Sequence, residues 1–247
     1  MSRYISCPNL PENKITKIIC GTEDKKILDF FKKNNIEVLP VNHNDYIDPA
    51  IALHADISAL HLGGNKIIVD KTQTGLIKEL CKYGMQVYTT QNEIAGEYPS
   101  DIALNFAISG SSVIGNFKYA DENLSDKLTD KRRINVRQGY CKCSVLIINE
   151  SAIITDDESI HKKVSECGID SLLISKGDIL LPGHSYGFIG GASFKLSRDT
   201  IVFCGDIKKH KDYTSIISFA EKYGCHVIST DDDVLRDIGG IVSLCED

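Results

Sequence analysis

The sequence predicts an α/β fold built as a five-unit pseudo-symmetric β/α propeller, a ring closed by its N- and C-terminal strands. Three observations predict it. A hairpin, a helix and a further strand recur at a spacing of roughly 40 to 48 residues, the self-similarity expected of repeat and propeller architectures. Each copy carries an apolar landmark on the inner hairpin strand, starting at Lys66, Ser112, Ala152 and Thr200. The chain ends supply complementary fragments, a unit lacking its first strand at the N-terminus and one spare strand at the C-terminus.

In chain order, residues 14–41 read as strand, helix and strand with no opening strand. Residues 52–70 read as a hairpin turning at Gly63-Gly64, followed by a helix over 72–84 and a strand over 85–90. A weaker copy opens at 101–116 and closes near 134–136. The next has its hairpin at 143–156, its helix at 157–168 and its strand at 169–175. The last places these at 192–204, 213–224 and 225–231, and residues 239–247 are the spare strand. An open doubly wound sheet also alternates strands and helices. The hairpin inside every unit favours the ring, because parallel strands joined by crossovers do not need one. Pairing the two terminal strands in one sheet removes open edges. Strand 240–245 is therefore expected beside strand 15–20.

Composition fits one domain over residues 1–247. The chain is long enough to bury a core without staples, and 42% hydrophobic and 25% charged residues are ordinary. A net charge of −6 argues against a nucleic-acid partner. No apolar run approaches the roughly 20 residues that cross a bilayer, so no membrane association is expected. The N-terminus does not read as a signal peptide. Nine scattered cysteines, an odd number, fit free thiols in a reducing cytoplasm. The oligomeric state is left open.

If the units are radial, the starts of their first strands converge at the centre. Those starts carry His54 and Asp56, Asp101, Cys143, Gly190-Gly191 and Gly239-Gly240. A Cys and a His distant in sequence are the pattern of a thiolate nucleophile with its acid/base partner. Cys141-Lys-Cys143 has no second Cys pair nearby to complete a zinc site. His54-x-Asp56-x4-His61, read as a strand, points 54 and 56 to one side and 61 to the other. No metal and no cofactor is expected. The Gly-Gly pairs read as tight turns, since no G-x-G-x-x-G opens a helix.

Three stretches, in order, resemble dimethylarginine dimethylaminohydrolases of the pentein superfamily of guanidine-modifying enzymes. They are His54-Ala-Asp56 through Gly63-Gly64-Asn65, Pro99-Ser-Asp101-Ile-Ala-Leu-Asn105, and Gly139-Tyr-Cys-Lys-Cys143-Ser-Val-Leu-Ile148. The resemblance implies Cys143 as nucleophile, His54 as acid/base and Asp56 as substrate carboxylate, with Asp101 and Asn105 as wall residues. It also implies a circular permutation, because a full unit follows the nucleophile here. Where that family places further acids, this chain has Gly191 and Ile241. Weak or absent turnover of free arginine, agmatine or methylated arginines is therefore expected. Gly183-His184 resembles a local pattern of agmatine deiminases and gives an alternative catalytic pair, His184 with Cys245. Cys245 lies close to the chain end, and Ser185 and Tyr186 stand where that pattern has an acid. The expected function is a Cys/His-dependent hydrolase or transferase acting on a C–N bond of a small amidine, guanidine or amide. The alternative is a non-catalytic pentein-fold protein that binds a partner or metabolite.

Overall fold

The computed structural model describes residues 2–247. The chain opens with β1 (Arg3–Tyr4), β2 (Ile15–Ile19), α1 (Lys25–Lys33) and β3 (Glu37–Leu39). A single helical turn, α2 (Ala55–Ser58), leads into the hairpin β4 (Ala59–Gly63) and β5 (Lys66–Val69), then α3 (Thr74–Lys82) and β6 (Gln86–Thr89). The pattern repeats through β7 (Ala107–Ser109), β8 (Ser112–Gly115), α4 (Glu122–Lys127) and β9 (Arg132–Asn135). It repeats again through the one-turn α5 (Cys141–Ser144), β10 (Val145–Asn149), β11 (Ala152–Thr155), α6 (Glu158–Glu166) and β12 (Asp170–Leu173). After the short β13 (Ile179–Leu180) come β14 (Ser193–Ser197), β15 (Thr200–Phe203), α7 (Tyr213–Lys222) and β16 (His226–Ser229). The chain finishes with β17 (Leu235–Arg236) and β18 (Val242–Glu246).

Four sheets share one topology, an antiparallel hairpin whose second strand pairs in parallel with the strand after the helix. Their middle strands begin at the four sequence landmarks. A fifth sheet, ordered β1-β18-β2-β3, is assembled from both ends of the chain. Val242 is opposite Ile19 and Ser243 opposite Ile18, antiparallel, so the expected pairing of the terminal strands is observed.

Four of the helices, α1, α3, α6 and α7, stop for a common reason. Asn35, Gly84, Gly168 and Gly224 have φ between 57° and 82°, the left-handed region that a β-carbon disfavours. The next residue in each case, Ile36, Met85, Ile169 or Cys225, is buried and donates its N–H to a carbonyl five residues back in the helix, at 2.9–3.1 Å. This closing turn caps the helix and aims the chain into the third strand.

Alternation along the middle strands then divides the core. Ile67 and Val69 pack with Leu76 and Leu80 of α3, while Ile68 packs with Leu60, Phe106 and Val113. Ile153 joins Ala107 and Ile114, while Ile154 joins Ile201 and Phe203. Phe194 and Val202 in turn meet Ile15, Ile18 and Phe31, and Ile19, Val242 and Leu244 meet Ile67 and Val69. Each cluster thus spans two sheets. Among the described residues no helix is long and apolar enough to cross a membrane.

Candidate functional site

The site residues lie one helical turn ahead of the strands on which the sequence places them. His54 is the N-cap of α2, Asp56 lies within it, and Cys143 lies within α5. The backbone closes these turns through Ser58 N–H to His54 O at 3.3 Å and Ser144 N–H to Tyr140 O at 2.9 Å. The strand argument for separating His54 and Asp56 from His61 therefore does not apply. His61 is separated by its own contact instead, its Nε2 lying 2.8 Å from Gly64 O.

The side-chain donor and ligand atoms of His54, Asp56 and Cys143 all lie within 4.8 Å of one another. Cys143 Sγ donates to Asp56 Oδ2 at 2.9 Å. Asn105 ties the pieces together. Its amide donates to Cys143 Sγ at 3.3 Å and to Asp56 O at 3.2 Å, and its Oδ1 accepts Lys142 N–H at 2.7 Å. Asn105 thus bridges the two turns. Asp101 accepts the Tyr140 hydroxyl at 2.5 Å.

Burial dominates the electrostatics. It pushes the Asp56 carboxyl up to about 6, although the charges of His54 and Lys142 and the Cys143 thiol pull it down. Burial, with Asp56 and Asp237 beside it, pushes the Cys143 thiol well above its usual range, so the resting group is a neutral thiol. Asp56 binds its proton more tightly in the folded chain than in the unfolded one. Its contribution to stability is therefore fully present below about pH 4 and lost as pH rises through about 6. Asp56→Asn is expected to stabilise the protein at pH 7 by on the order of 2–3 kcal/mol, several degrees in Tm, and to change it little at pH 4. Thermal unfolding at the two pH values checks this; a fall in Tm at pH 7 contradicts it.

A cavity of about 240 Å³ opens over these groups. His54 and Cys143 line it, with apolar walls from Ile51, Leu181 and Phe188. So does Asp237, which the sequence reading passed over. The two-stranded pairing of β13 with β17 delivers Asp237 to the site. The chain then turns, with Gly239 at φ 72° and its α-carbon against the His54 ring, where a β-carbon would sit 2.3 Å from Cγ. Asp237 accepts N–H groups from Phe188 at 2.8 Å and Gly239 at 2.9 Å. A β-carbon on Gly191 would lie 1.9 Å from Asp237 Oδ1. The carboxylate therefore occupies the space a side chain at 191 would take. The sequence signal was an Asp two residues ahead of Gly239-Gly240.

The alternative pair is not brought together. His184 stands in the cavity wall, paired with Asp48 at 3.0 Å. Cys245 lies in β18, in the apolar cluster with Ile19, Leu39 and Val242, and is not among the cavity residues. His54, Asp56 and Cys143 offer one nitrogen, one oxygen and one sulfur ligand, a donor set compatible with zinc. His54 Nδ1 and Asp56 Oδ1 have no partner among the described residues.

Residues 18–242 match the model of a family of unknown function, DUF6873, and the chain belongs to that family. No curated protein matches by sequence. Solved structures do match by shape. An inosamine-phosphate amidinotransferase from Streptomyces griseus superimposes with a TM-score of 0.61 at 12% identity, covering 98% of this chain and 97% of that one. A dimethylarginine dimethylaminohydrolase from Pseudomonas aeruginosa gives 0.58 at 10% identity, covering 94% and 99%. An agmatine deiminase from C. jejuni gives 0.53 at 12%, covering 93% and 91%. All three are pentein superfamily members, and the mixed α/β fold of this chain is of that kind.

Proposed function

We propose that this DUF6873 protein is a cysteine-dependent enzyme that cleaves or transfers a C–N bond of a small amidine or guanidine, with Cys143 as nucleophile and His54 as acid/base. The supporting observation is the convergence of Cys143, His54 and Asp237 on one cavity, with the Asp56 carboxylate directly behind the Cys143 sulfur. We read the five sheets as a ring around that cavity. The sharing of core clusters between successive sheets, and between the terminal sheet and β5, supports that arrangement.

In the resting state the thiol proton sits on sulfur and points to Asp56. A planar cation entering between Asp56 and Asp237 compensates both negative charges that hold the thiol protonated. The proton then passes to the His54 imidazole, and the sulfur bonds to the amidine carbon as the C=N pair moves onto nitrogen. His54 returns the proton to the departing amine as the C–N bond breaks, leaving a carbon–sulfur adduct on Cys143. Water, or an amine in a transferase, attacks that adduct and releases the thiol.

The test uses a cation and its neutral counterpart. 2-Chloroacetamidine is expected to alkylate Cys143 at least about tenfold faster than the exposed Cys81 at pH 7, while neutral chloroacetamide reaches Cys81 first. Peptide mapping by mass spectrometry reads both. A non-catalytic binding role is favoured by one observation, the strongly raised Cys143 thiol. That reading prevails if the amidine shows no preference for Cys143.

A further inference from the structure

We propose that the natural substrate is a dication, an amidine or guanidine head joined through a short apolar spacer to an ammonium group, and that it carries no carboxylate. The inference rests on the reading of Cys143 as the reacting centre, and it comes from the space outside that centre. A wider hollow of about 760 Å³ adjoins the cavity, the two sharing Tyr140 and His184 in their walls. Its acids are Asp45, Asp48, Glu97 and Asp101. No Lys or Arg lines either space among the described residues.

The charges facing the hollow are partly compensated. His43 lies 2.9 Å from Asp45 and His184 3.0 Å from Asp48, each a cation only when protonated. Glu97 has no ion pair among the described residues. Asp101 is the decisive group. It is 2% exposed, it lines the hollow, and its Oδ1 has no hydrogen-bond partner. A buried carboxylate oxygen left without a donor costs free energy that an incoming N–H donor recovers. Lys142, whose charge acts on Asp56, lines two separate small hollows and neither of these spaces. Lys176 stands 5.7 Å from the Tyr186 ring and does not line either space.

The remaining walls suit an alkylammonium. Tyr46, Tyr98 and Tyr140 present aromatic surface, with the Tyr98 and Tyr140 rings 5.6 Å apart. Ring faces attract cations and pack against methylene groups. An α-carboxylate in the same place would meet four acids and no Lys or Arg, and its two nearest imidazoles are already paired with Asp45 and Asp48. The acids also concentrate cations ahead of the reacting centre.

Agmatine and arginine isolate the effect, since arginine is agmatine plus an α-carboxylate. Titration calorimetry of the full chain is expected to show agmatine binding at least about tenfold tighter than arginine, a gap that narrows as salt rises. Glu97→Gln combined with Asp101→Asn is expected to remove most of that preference, with circular dichroism confirming the fold. Equal or tighter binding of arginine overturns the proposal, as does a preference that survives both substitutions, or agmatine that fails to bind at millimolar concentration. The outcome is separable from the catalytic reading. Preference for agmatine without 2-chloroacetamidine labelling of Cys143 keeps the dication site and removes the chemistry; labelling with preference for arginine does the reverse.

Discussion

Replacing His54 by Ala is expected to slow the alkylation of Cys143 by 2-chloroacetamidine by roughly 10²-fold or more, within the range a positioned acid/base group contributes. The thiol starts protonated, held so by burial and by the two carboxylates. An arriving cation compensates the carboxylates, but the proton still needs an acceptor. His54 is the basic group of the cavity placed to take it, with its Nδ1 buried and unpartnered. Because the His54 side chain makes no hydrogen bond among the described residues, its loss should leave the fold intact, and a Tm within a few degrees of wild type confirms that. An unchanged labelling rate in a folded His54→Ala protein would falsify the acid/base assignment.

Removing residues 242–247 is expected to abolish cooperative unfolding near room temperature. β18 is not an edge strand; it lies between β1 and β2, and every residue from Val242 to Glu246 is buried. Its loss strips the ladder from both neighbours and exposes Ile19, Leu39 and Ile67 on the facing cluster. It also deletes the Glu246 carboxylate, which accepts the N–H groups of Glu12 and Asn13 at 2.6 and 2.8 Å. Three apolar side chains at about 1.5–3 kcal/mol each, with the broken ladder, rival the whole stability of a typical domain, about 5–15 kcal/mol. Leu244→Ala gives a graded version, expected to cost about 2–5 kcal/mol in urea titration. A truncated chain that melts as sharply as wild type would show that the strand is dispensable.

The repeated sheets were legible because their signals are local and repeated. Four landmark strands, each preceded by a turn and followed by a capped helix, are periodic patterns that a single sequence displays openly. The orphan strands at the two ends were legible for the same reason. The site was legible only where function sits on a repeat boundary. His54, Asp56 and Cys143 occupy equivalent places, although a short apolar run did not reveal that each begins with a helical turn. Asp237 was hidden because it comes from an irregular segment positioned by a two-residue strand pairing. Which space its carboxylate fills depends on the missing side chain at Gly191, and no pattern within either segment states that relation. Asn105 was named for its place in a motif, but its role as a clamp between α2 and α5 depends on contacts 37 to 49 residues apart in sequence.

The position of β18 also orders events in time. A ribosome releases the N-terminal strands first, yet β2 cannot complete its antiparallel ladder until residue 246 has emerged. The four three-stranded sheets can form on the nascent chain, each from contiguous sequence. The turn at Gly239 that abuts His54, and the Asp237 carboxylate over Cys143, arrive only with the last segment. Cys143 is therefore made early and enclosed late, and its thiol meets its full electrostatic surroundings only after synthesis has passed the final strand.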